Sequence, residues 1–230
     1  MPEPSPTSAS VDRSRGVVFD FDGIVVDSEP LHERACRATA QDEGMDFTHE
    51  QFAEVCIGHG DLRAFIAIAE LNNRDPEDEL IARMRAAKPG HFLELLMDDP
   101  PAPHAGSVEL IHAAASAHPT AVCTGSRRDE VEPILDRLGL LDRLTTLVTA
   151  DDVANTKPDP EPYVLAARRL EVGASDCVAI EDTPTGIVSA KAAGLRVLGV
   201  GHTLQTGRLT EADRVVERLA GFTLAELLAV

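Results

Sequence analysis

The chain has 230 residues, of which 43% are hydrophobic and 26% charged, as in an ordinary globular protein with one large core or a core and a smaller domain. Its 39 acidic residues against 21 basic ones leave a formal net charge of -18. An acidic surface repels nucleic acid and anionic lipid, because both bind basic footprints, so we expect neither as a partner. A phosphorylated substrate would need positive charge concentrated in one place.

The N-terminal residues and the cysteines indicate the cellular compartment in which the protein is expected. Residues 1–14 are rich in Pro and Ser and lack an apolar signal region, which predicts a loose tail. No run approaches the roughly 18 apolar residues of a membrane span. The four cysteines lie far apart in apolar stretches, which predicts buried, reduced thiols. We therefore expect a cytoplasmic protein, and a monomer.

The first half of the chain is predicted to be one strand followed by helices. Residues 16–21 form a short β-branched run that ends in acids and a glycine, as a buried strand does. From residue 30 to about 97 the apolar spacing is helical only. Five helices are predicted there, around Leu31, Phe52, Phe65, Leu80 and Phe92.

A Pro-rich joint at residues 98–103 ends this helical block. Strands and helices alternate beyond it, which predicts a parallel sheet with helices on both faces. The predicted strands are 120–123, 146–148, 177–180 and 196–200, and the predicted helices are 108–117, 130–138, 162–170 and 185–193. Because one strand precedes the block, residues 15–28 and 99–230 are expected to form an α/β core, with residues 29–98 inserted into it as an all-α domain.

Polar residues follow the predicted strands at the edge where such sheets bind ligands. Asp20 and Asp22 follow the first strand, Thr124 the second, Lys157 lies beyond the third, and Asp182 follows the fourth. A carboxylate at Asp20 can attack phosphorus directly, which divides one difficult displacement into two easier ones. Asp22 can protonate the leaving oxygen and later deprotonate a water.

A metal ion is expected because an anion that attacks an anion needs its charge neutralised. Mg²⁺ prefers oxygen ligands, which Asp20, the Asp22 carbonyl and Asp182 would supply, with Glu181 as a ligand or as a neighbour of the ligands. Lys157 can hold the nucleophile. Thr124 and nearby backbone N–H groups can hold the phosphoryl oxygens. Each feature alone is also compatible with a turn, a helix cap or a solvated loop, but their joint order points to phosphoryl transfer.

The sequence resembles the haloacid dehalogenase superfamily from about Arg15 to the C-terminus. Asp20-Phe21-Asp22-Gly23 matches the first motif of that superfamily, Thr124 the second, Lys157 the third and Glu181-Asp182 the fourth. The helical insertion is similar to the cap of the β-phosphoglucomutase and phosphoglycolate phosphatase branch. The resemblance implies a Rossmann-like core with a mobile cap that closes over the site. It also implies phosphotransfer rather than dehalogenation, since the dehalogenases lack the second acid of the first motif.

The same resemblance implies contacts with substrate. His32 corresponds to a histidine that positions the catalytic acid, and Arg127 to a lysine that grips phosphate. An exposed helical position for His32 and a surface charge for Arg127 are the alternatives. In the predicted cap loop, Asp61 replaces an arginine of the family, and Arg63 is either its substitute or solvent-facing. The expected substrate-binding residues are Gly23, Gly125, Ser126, Arg127, His32 and Arg63.

Three functions fit these features. The first is a Mg²⁺-dependent phosphatase that hydrolyses a small sugar or polyol phosphate through an aspartyl-phosphate. The alternative is a mutase that returns the phosphoryl group to its substrate, and the negative charge expected at Asp61 and the pliant Gly58 and Gly60 argue against a firm grip on a second phosphate. A non-catalytic protein that binds phosphorylated metabolites is more remote, because every catalytic residue type is present.

Overall fold

A computed structural model describes residues 11–57 and 60–230 of the chain. Most of the predicted N-terminal tail, and Gly58 and His59 of the predicted cap loop, therefore lie outside the described residues. The strands are β1 Gly16–Phe19, β2 Thr120–Cys123, β3 Thr146–Val148, β4 Cys177–Glu181, β5 Arg196–Val200 and β6 Arg214–Val216. The α-helices are α1 Glu29–Asp42, α2 His49–Val55, α3 Asp61–Leu71, α4 Asp78–Asp98, α5 Ser107–Ala117, α6 Arg128–Arg137, α7 Glu161–Leu170, α8 Pro184–Ala192 and α9 Leu224–Leu228.

The six strands form one sheet in the order β3-β2-β1-β4-β5-β6, and every neighbouring pair is parallel. The chain runs outward from β1 to β3 and then returns to β4 on the other side of β1. This reversal places a topological switch point between β1 and β4, the position where open α/β sheets bind their ligands. The prediction of a Rossmann-like α/β fold is confirmed.

Alternate strand residues face opposite layers, which explains why these apolar runs become buried strands. Val17 and Phe19 of β1 belong to one apolar cluster, whereas Val18 belongs to a second cluster on the other face of the sheet. Strand β4 alternates in the same way, with Ile180 in the first cluster and Ala179 in the second. Helices therefore cover both faces of the central strands.

Helices α1–α4 follow β1 and pack around an apolar cluster of their own, in which Phe52, Phe65 and Met84 are buried. The prediction of two helices in place of α4 is wrong. The continuous helix of 21 residues contains Pro89, and a proline inside a helix removes only one backbone hydrogen bond when the flanking turns are held by packing. Phe92 and Leu96 on the far side of Pro89 pack into the core cluster, which provides that support. The limits proposed for the core and the inserted domain stay predictions.

Other elements match their predictions more closely. The observed helices α5–α8 begin and end within two residues of the predicted ones, and β1 ends two residues before the predicted strand does. Strand β6 and the short helix α9 were not predicted from the sequence.

All four cysteines are free and buried, in agreement with the prediction for the thiols. None of the helices in the described part of the chain combines the length and apolar character needed to cross a membrane.

Candidate active site

Asp20 lies directly after β1, at the switch point, and is 6% exposed. Its backbone N–H donates to the Ile180 carbonyl at 2.9 Å, which ties the start of the loop to β4. Its Oδ1 accepts from the Phe21 N–H at 2.7 Å and lies 2.8 Å from Lys157 Nζ. Burial and the negative charge of Glu181 raise the pKa of the Asp20 carboxyl well above its ordinary value, although Lys157 opposes them. A cation beside Asp20 is therefore needed to keep it charged.

Lys157 is shared between Asp20 and Glu181. Its Nζ lies 2.7 Å from Glu181 Oε1, which also accepts from the Tyr163 hydroxyl at 2.6 Å. The other oxygen of Glu181 accepts from the Asp182 N–H at 3.2 Å and from the Thr183 hydroxyl at 3.3 Å. Because both oxygens already have donors, Glu181 is placed to orient Lys157 rather than to be a primary metal ligand. Burial alone would lower the pKa of Lys157, but the two carboxylates raise it, so the ammonium stays charged.

Asp22 projects into a ring of donors. Oδ1 accepts from the Ser28 hydroxyl at 2.5 Å and lies 3.2 Å from His32 Nε2. Oδ2 accepts from the Ser126 hydroxyl at 2.6 Å and from the Thr124 hydroxyl at 3.2 Å. Burial would raise the pKa of Asp22, but the contacts with His32, Ser126 and Ser28 outweigh it and hold the pKa well below its ordinary value. In this arrangement Asp22 is an ionised acceptor.

Asp182 completes the acidic group at the end of β4. It is 1% exposed, and its Oδ1 has no hydrogen-bond partner among the described residues. Asp20, Glu181 and Asp182 each offer an oxygen, and these atoms all lie within 4.8 Å of one another. Burial, followed by repulsion from Asp20 and Glu181, raises the pKa of Asp182 well above its ordinary value. Buried carboxylates with an unpartnered oxygen are the donor set of a hard cation, so the residues present fit a divalent metal.

The remaining predicted site residues divide into two groups. The structure brings Gly23, Thr124, Ser126 and His32 together with the acidic residues. An added Cβ on Gly125 would meet no atom within 4 Å, so this glycine borders open space. The Arg127 guanidinium is engaged elsewhere, in a two-point ion pair with Asp129 at 3.0 and 2.9 Å. Arg63 is exposed on α3, and its side chain forms no hydrogen bond or ion pair with any residue of the described ranges.

Three supporting residues were missed from the sequence. Tyr163 comes from α7 and holds Glu181. His202 lies after β5, where its Nε2 accepts from the Leu219 N–H at 3.3 Å and its Nδ1 lies 2.9 Å from the Gly23 carbonyl. These contacts require a proton on Nδ1, so His202 secures the first motif as a neutral donor. The third is Lys88 of α4, and the one feature of the sequence that could have pointed to it is the position of a lysine on an otherwise apolar helix face.

These features define the class of protein: a parallel α/β core that holds Asp20, Lys157 and the acidic pair Glu181 and Asp182 at its switch point, with a group of helices inserted after β1. Residues 15–194 match the haloacid dehalogenase-like hydrolase family, and the chain belongs to that family of enzymes. It is 33% identical over 190 residues to the fructose-1-phosphate phosphatase YqaB of Escherichia coli, covering 82% of this chain and 97% of the relative.

Two further comparisons agree with this assignment. The chain is 33% identical over 203 residues to a phosphorylated carbohydrates phosphatase of Thermotoga maritima, covering 86% of this chain and 91% of the relative. The crystal structure of CbbY from Rhodobacter sphaeroides in complex with phosphate superposes with a TM-score of 0.80 at 30% identity, over 93% of this chain and 98% of that one. The similarity in sequence and in fold therefore extends along almost the whole chain.

Proposed function

We propose that the protein is a Mg²⁺-dependent phosphatase that hydrolyses sugar or polyol monophosphates through an aspartyl-phosphate on Asp20. The observation that carries the proposal is the buried group of Asp20, Lys157 and Asp182 at the switch point, with an unpartnered carboxylate oxygen on Asp182. The printed activities of the relatives, which include fructose-1-phosphate and phosphorylated carbohydrate phosphatases, support the substrate class.

In the first half-reaction, a carboxylate oxygen of Asp20 forms a bond to phosphorus while the bond from phosphorus to the ester oxygen breaks. Asp22 gives its proton to the departing oxygen, which leaves as an alcohol. In the second half-reaction, water attacks phosphorus, Asp22 accepts the proton of that water, and Asp20 is released with inorganic phosphate. Mg²⁺ held by Asp20, the Asp22 carbonyl and Asp182 would neutralise negative charge on the phosphoryl oxygens.

Asp22 must carry a proton before it can protonate the leaving group, so its hydrogen bonds must change when the substrate binds. In the structure Thr124 and Ser126 both donate to Asp22, which favours its charged form. A phosphoryl group beside Asp20 would draw these hydroxyls to its own oxygens and bring negative charge close to Asp22. Both changes raise the proton affinity of Asp22, so it could carry a proton for the leaving group.

The test measures the hydrolysis of p-nitrophenyl phosphate by wild type and Asp20→Asn, with and without Mg²⁺, from the absorbance of the p-nitrophenol released. Wild type should be active with Mg²⁺ and inactive in EDTA. Asp20→Asn should retain less than about 1% of the wild-type kcat, since it lacks the nucleophile. Asp136→Asn, an exposed change of the same chemistry on α6, is the matched control and should behave as wild type. Substantial activity of Asp20→Asn would refute the assignment.

A further inference from the structure

His202 lies on the segment that follows β5 and joins two other parts of the core. The Leu219 N–H donates to its Nε2 at 3.3 Å, so the single proton of the neutral ring is on Nδ1. Nδ1 donates to the Gly23 carbonyl at 2.9 Å. The partly buried ring thus has both nitrogens engaged, one with the loop after β1 and one with the segment after β6.

Hydrogen bonds hold both peptide groups that flank the Cα atom of Gly23. The first peptide group contains the Asp22 carbonyl and the Gly23 N–H, which donates to the Val26 carbonyl at 2.9 Å. The second contains the Gly23 carbonyl, which His202 holds. Because each peptide group is planar, these two hydrogen bonds together set the direction of the Asp22 carbonyl. A glycine has no side chain to restrict its rotation, so the backbone depends on such support here.

The direction of the Asp22 carbonyl matters for the metal site. In the proposed function this oxygen holds Mg²⁺ together with Asp20 and Asp182. Thr203, the residue after His202, also reaches the site, since its side chain hydrogen-bonds to Asp182. Removing groups that orient metal ligands without touching the metal commonly costs about 10–100-fold in metal affinity. His202 and Thr203 are therefore placed to support two of the ligands from one segment.

His104 supports the ring of His202 from the chain that returns from the helical insertion. The two rings are stacked, with centroids 4.1 Å apart and an interplanar angle of 20°. The His104 N–H donates to the Val25 carbonyl at 3.0 Å. One turn of chain away, the Asp27 N–H donates to the Ala102 carbonyl at 2.9 Å. The returning segment is thus bound to the loop after β1, and the His104 ring is a fixed surface for His202.

His104 and His202 line a cavity of about 730 Å³, together with Gln205, Thr206 and Arg218. This cavity is far larger than an imidazole molecule. If the ring of His202 were removed, a small solute in the cavity could therefore enter the space that the ring had occupied.

We propose that His202 is a positioning residue for the metal site: it sets the direction of the Asp22 carbonyl through the Gly23 peptide groups, and the His104 ring holds it in place. The inference rests on the proposed function, since it takes the Asp22 carbonyl as a ligand of Mg²⁺. It gives a role in metal affinity to a residue outside the sequence motifs.

The test measures the dissociation constant of Mg²⁺ by isothermal titration calorimetry, without substrate. His202→Phe keeps a ring against His104 but lacks the donor to Gly23, and it should weaken Mg²⁺ binding about tenfold. His202→Asn places an amide N–H near the position of Nδ1 and should weaken binding by less than about threefold. His49→Asn, an exposed change of the same chemistry on α2, is the matched control and should bind Mg²⁺ as wild type does.

Added imidazole provides a second measurement. His202→Ala should lose as much Mg²⁺ affinity as His202→Phe, and imidazole that enters through the cavity should restore it in a saturable manner. N-methylimidazole fills the same space but has no N–H to donate, so it should not restore the affinity. Thermal unfolding in EDTA shows that each variant is folded.

Hydrolysis of p-nitrophenyl phosphate separates this inference from the proposed function. Mg²⁺-dependent hydrolysis by wild type, with equal Mg²⁺ affinity in wild type and His202→Phe, would overturn the positioning role alone. An equal loss of affinity in His202→Phe and His202→Asn, or equal effects of the two imidazoles, would overturn it as well. Absence of any Mg²⁺-dependent hydrolysis in wild type would overturn the proposed function itself.

Discussion

A Cβ atom on Gly23 would lie 1.9 Å from Asp182 Oδ2, far inside van der Waals contact. Gly23 has φ of +75°, a conformation that L side chains rarely adopt. A glycine is thus needed at this position of the first motif for two reasons: the backbone has a positive φ, and the Asp182 carboxylate leaves no room for a side chain. The carboxylate of Asp182, after β4, can approach the loop after β1 because Gly23 has no side chain to occupy that space.

Gly23→Ala is expected to reduce kcat/KM by more than about 100-fold, because displacing Asp182 by even 1 Å disrupts the site. Gly44→Ala is the matched control: Gly44 has φ of +72°, and an added Cβ there meets nothing within 4 Å. Both variants should lose about 1–2 kcal/mol of stability from backbone strain, measured by thermal unfolding, but Gly44→Ala should keep full activity. Wild-type kinetics for Gly23→Ala would contradict the crowding argument.

Metal binding is expected to be visible without turnover. The chain has one tyrosine and no tryptophan, and the hydroxyl of that tyrosine, Tyr163, donates to Glu181. Mg²⁺ bound beside Glu181 should change the fluorescence of Tyr163 in a saturable titration that EDTA reverses. Asp182→Asn should weaken the apparent affinity by at least about tenfold, as the loss of a ligand does. An identical titration curve for Asp182→Asn would exclude Asp182 as a ligand.

Hydrolysis is expected to exceed isomerisation. A mutase needs a firm cationic grip on a second phosphate, and the candidate groups are otherwise engaged: Arg127 pairs with Asp129, and Lys88 pairs with Asp61. With β-glucose 1-phosphate, a trace of the 1,6-bisphosphate and Mg²⁺, inorganic phosphate should form faster than glucose 6-phosphate. Asp20→Asn should form neither product. Faster formation of glucose 6-phosphate would favour the mutase and make Arg63 the first residue to mutate.

The stability of the core is expected to depend on pH through Asp152, which pairs with Arg128 and Arg169, each at 2.8 Å. Burial would raise the pKa of Asp152, but hydrogen bonds from Arg169 and Thr149 lower it to about 2. Its folded pKa is below the unfolded value, so its contribution is complete above about pH 4 and disappears as pH falls towards 2.

Asp152→Asn should therefore cost about 1–2 kcal/mol of unfolding free energy at pH 7, where the charged hydrogen bonds are complete. The difference from wild type should shrink as the pH approaches 3. Denaturant unfolding at both pH values checks this, with Asp136→Asn as the exposed control. A difference that stays constant with pH would show that packing, rather than charge, accounts for the effect.

The sequence by itself predicted strands β1 to β5, the order of the motifs and the meeting of Asp20, Lys157 and Asp182 at one edge of the sheet. These properties are local: an apolar run predicts a buried strand, and parallel strands bring the residues after their ends to one edge. Prediction from the sequence was least reliable where a helix is stabilised by packing against residues that are distant in the chain. The sequence predicted two helices, around Leu80 and Phe92, where the structure has the single helix α4, which continues through Pro89 with Phe92 packed against the core.

Only the tertiary structure decided which side chains support the site. Lys88 is 27 residues from Asp61, Tyr163 is 18 from Glu181, and His202 is 179 from the Gly23 carbonyl that it holds. Contacts of this kind leave no periodic or motif signal, because they depend on how whole elements pack rather than on neighbours in the chain. Residue type alone predicted a negative charge at Asp61, whereas the fold pairs that charge with Lys88 at 2.6 Å.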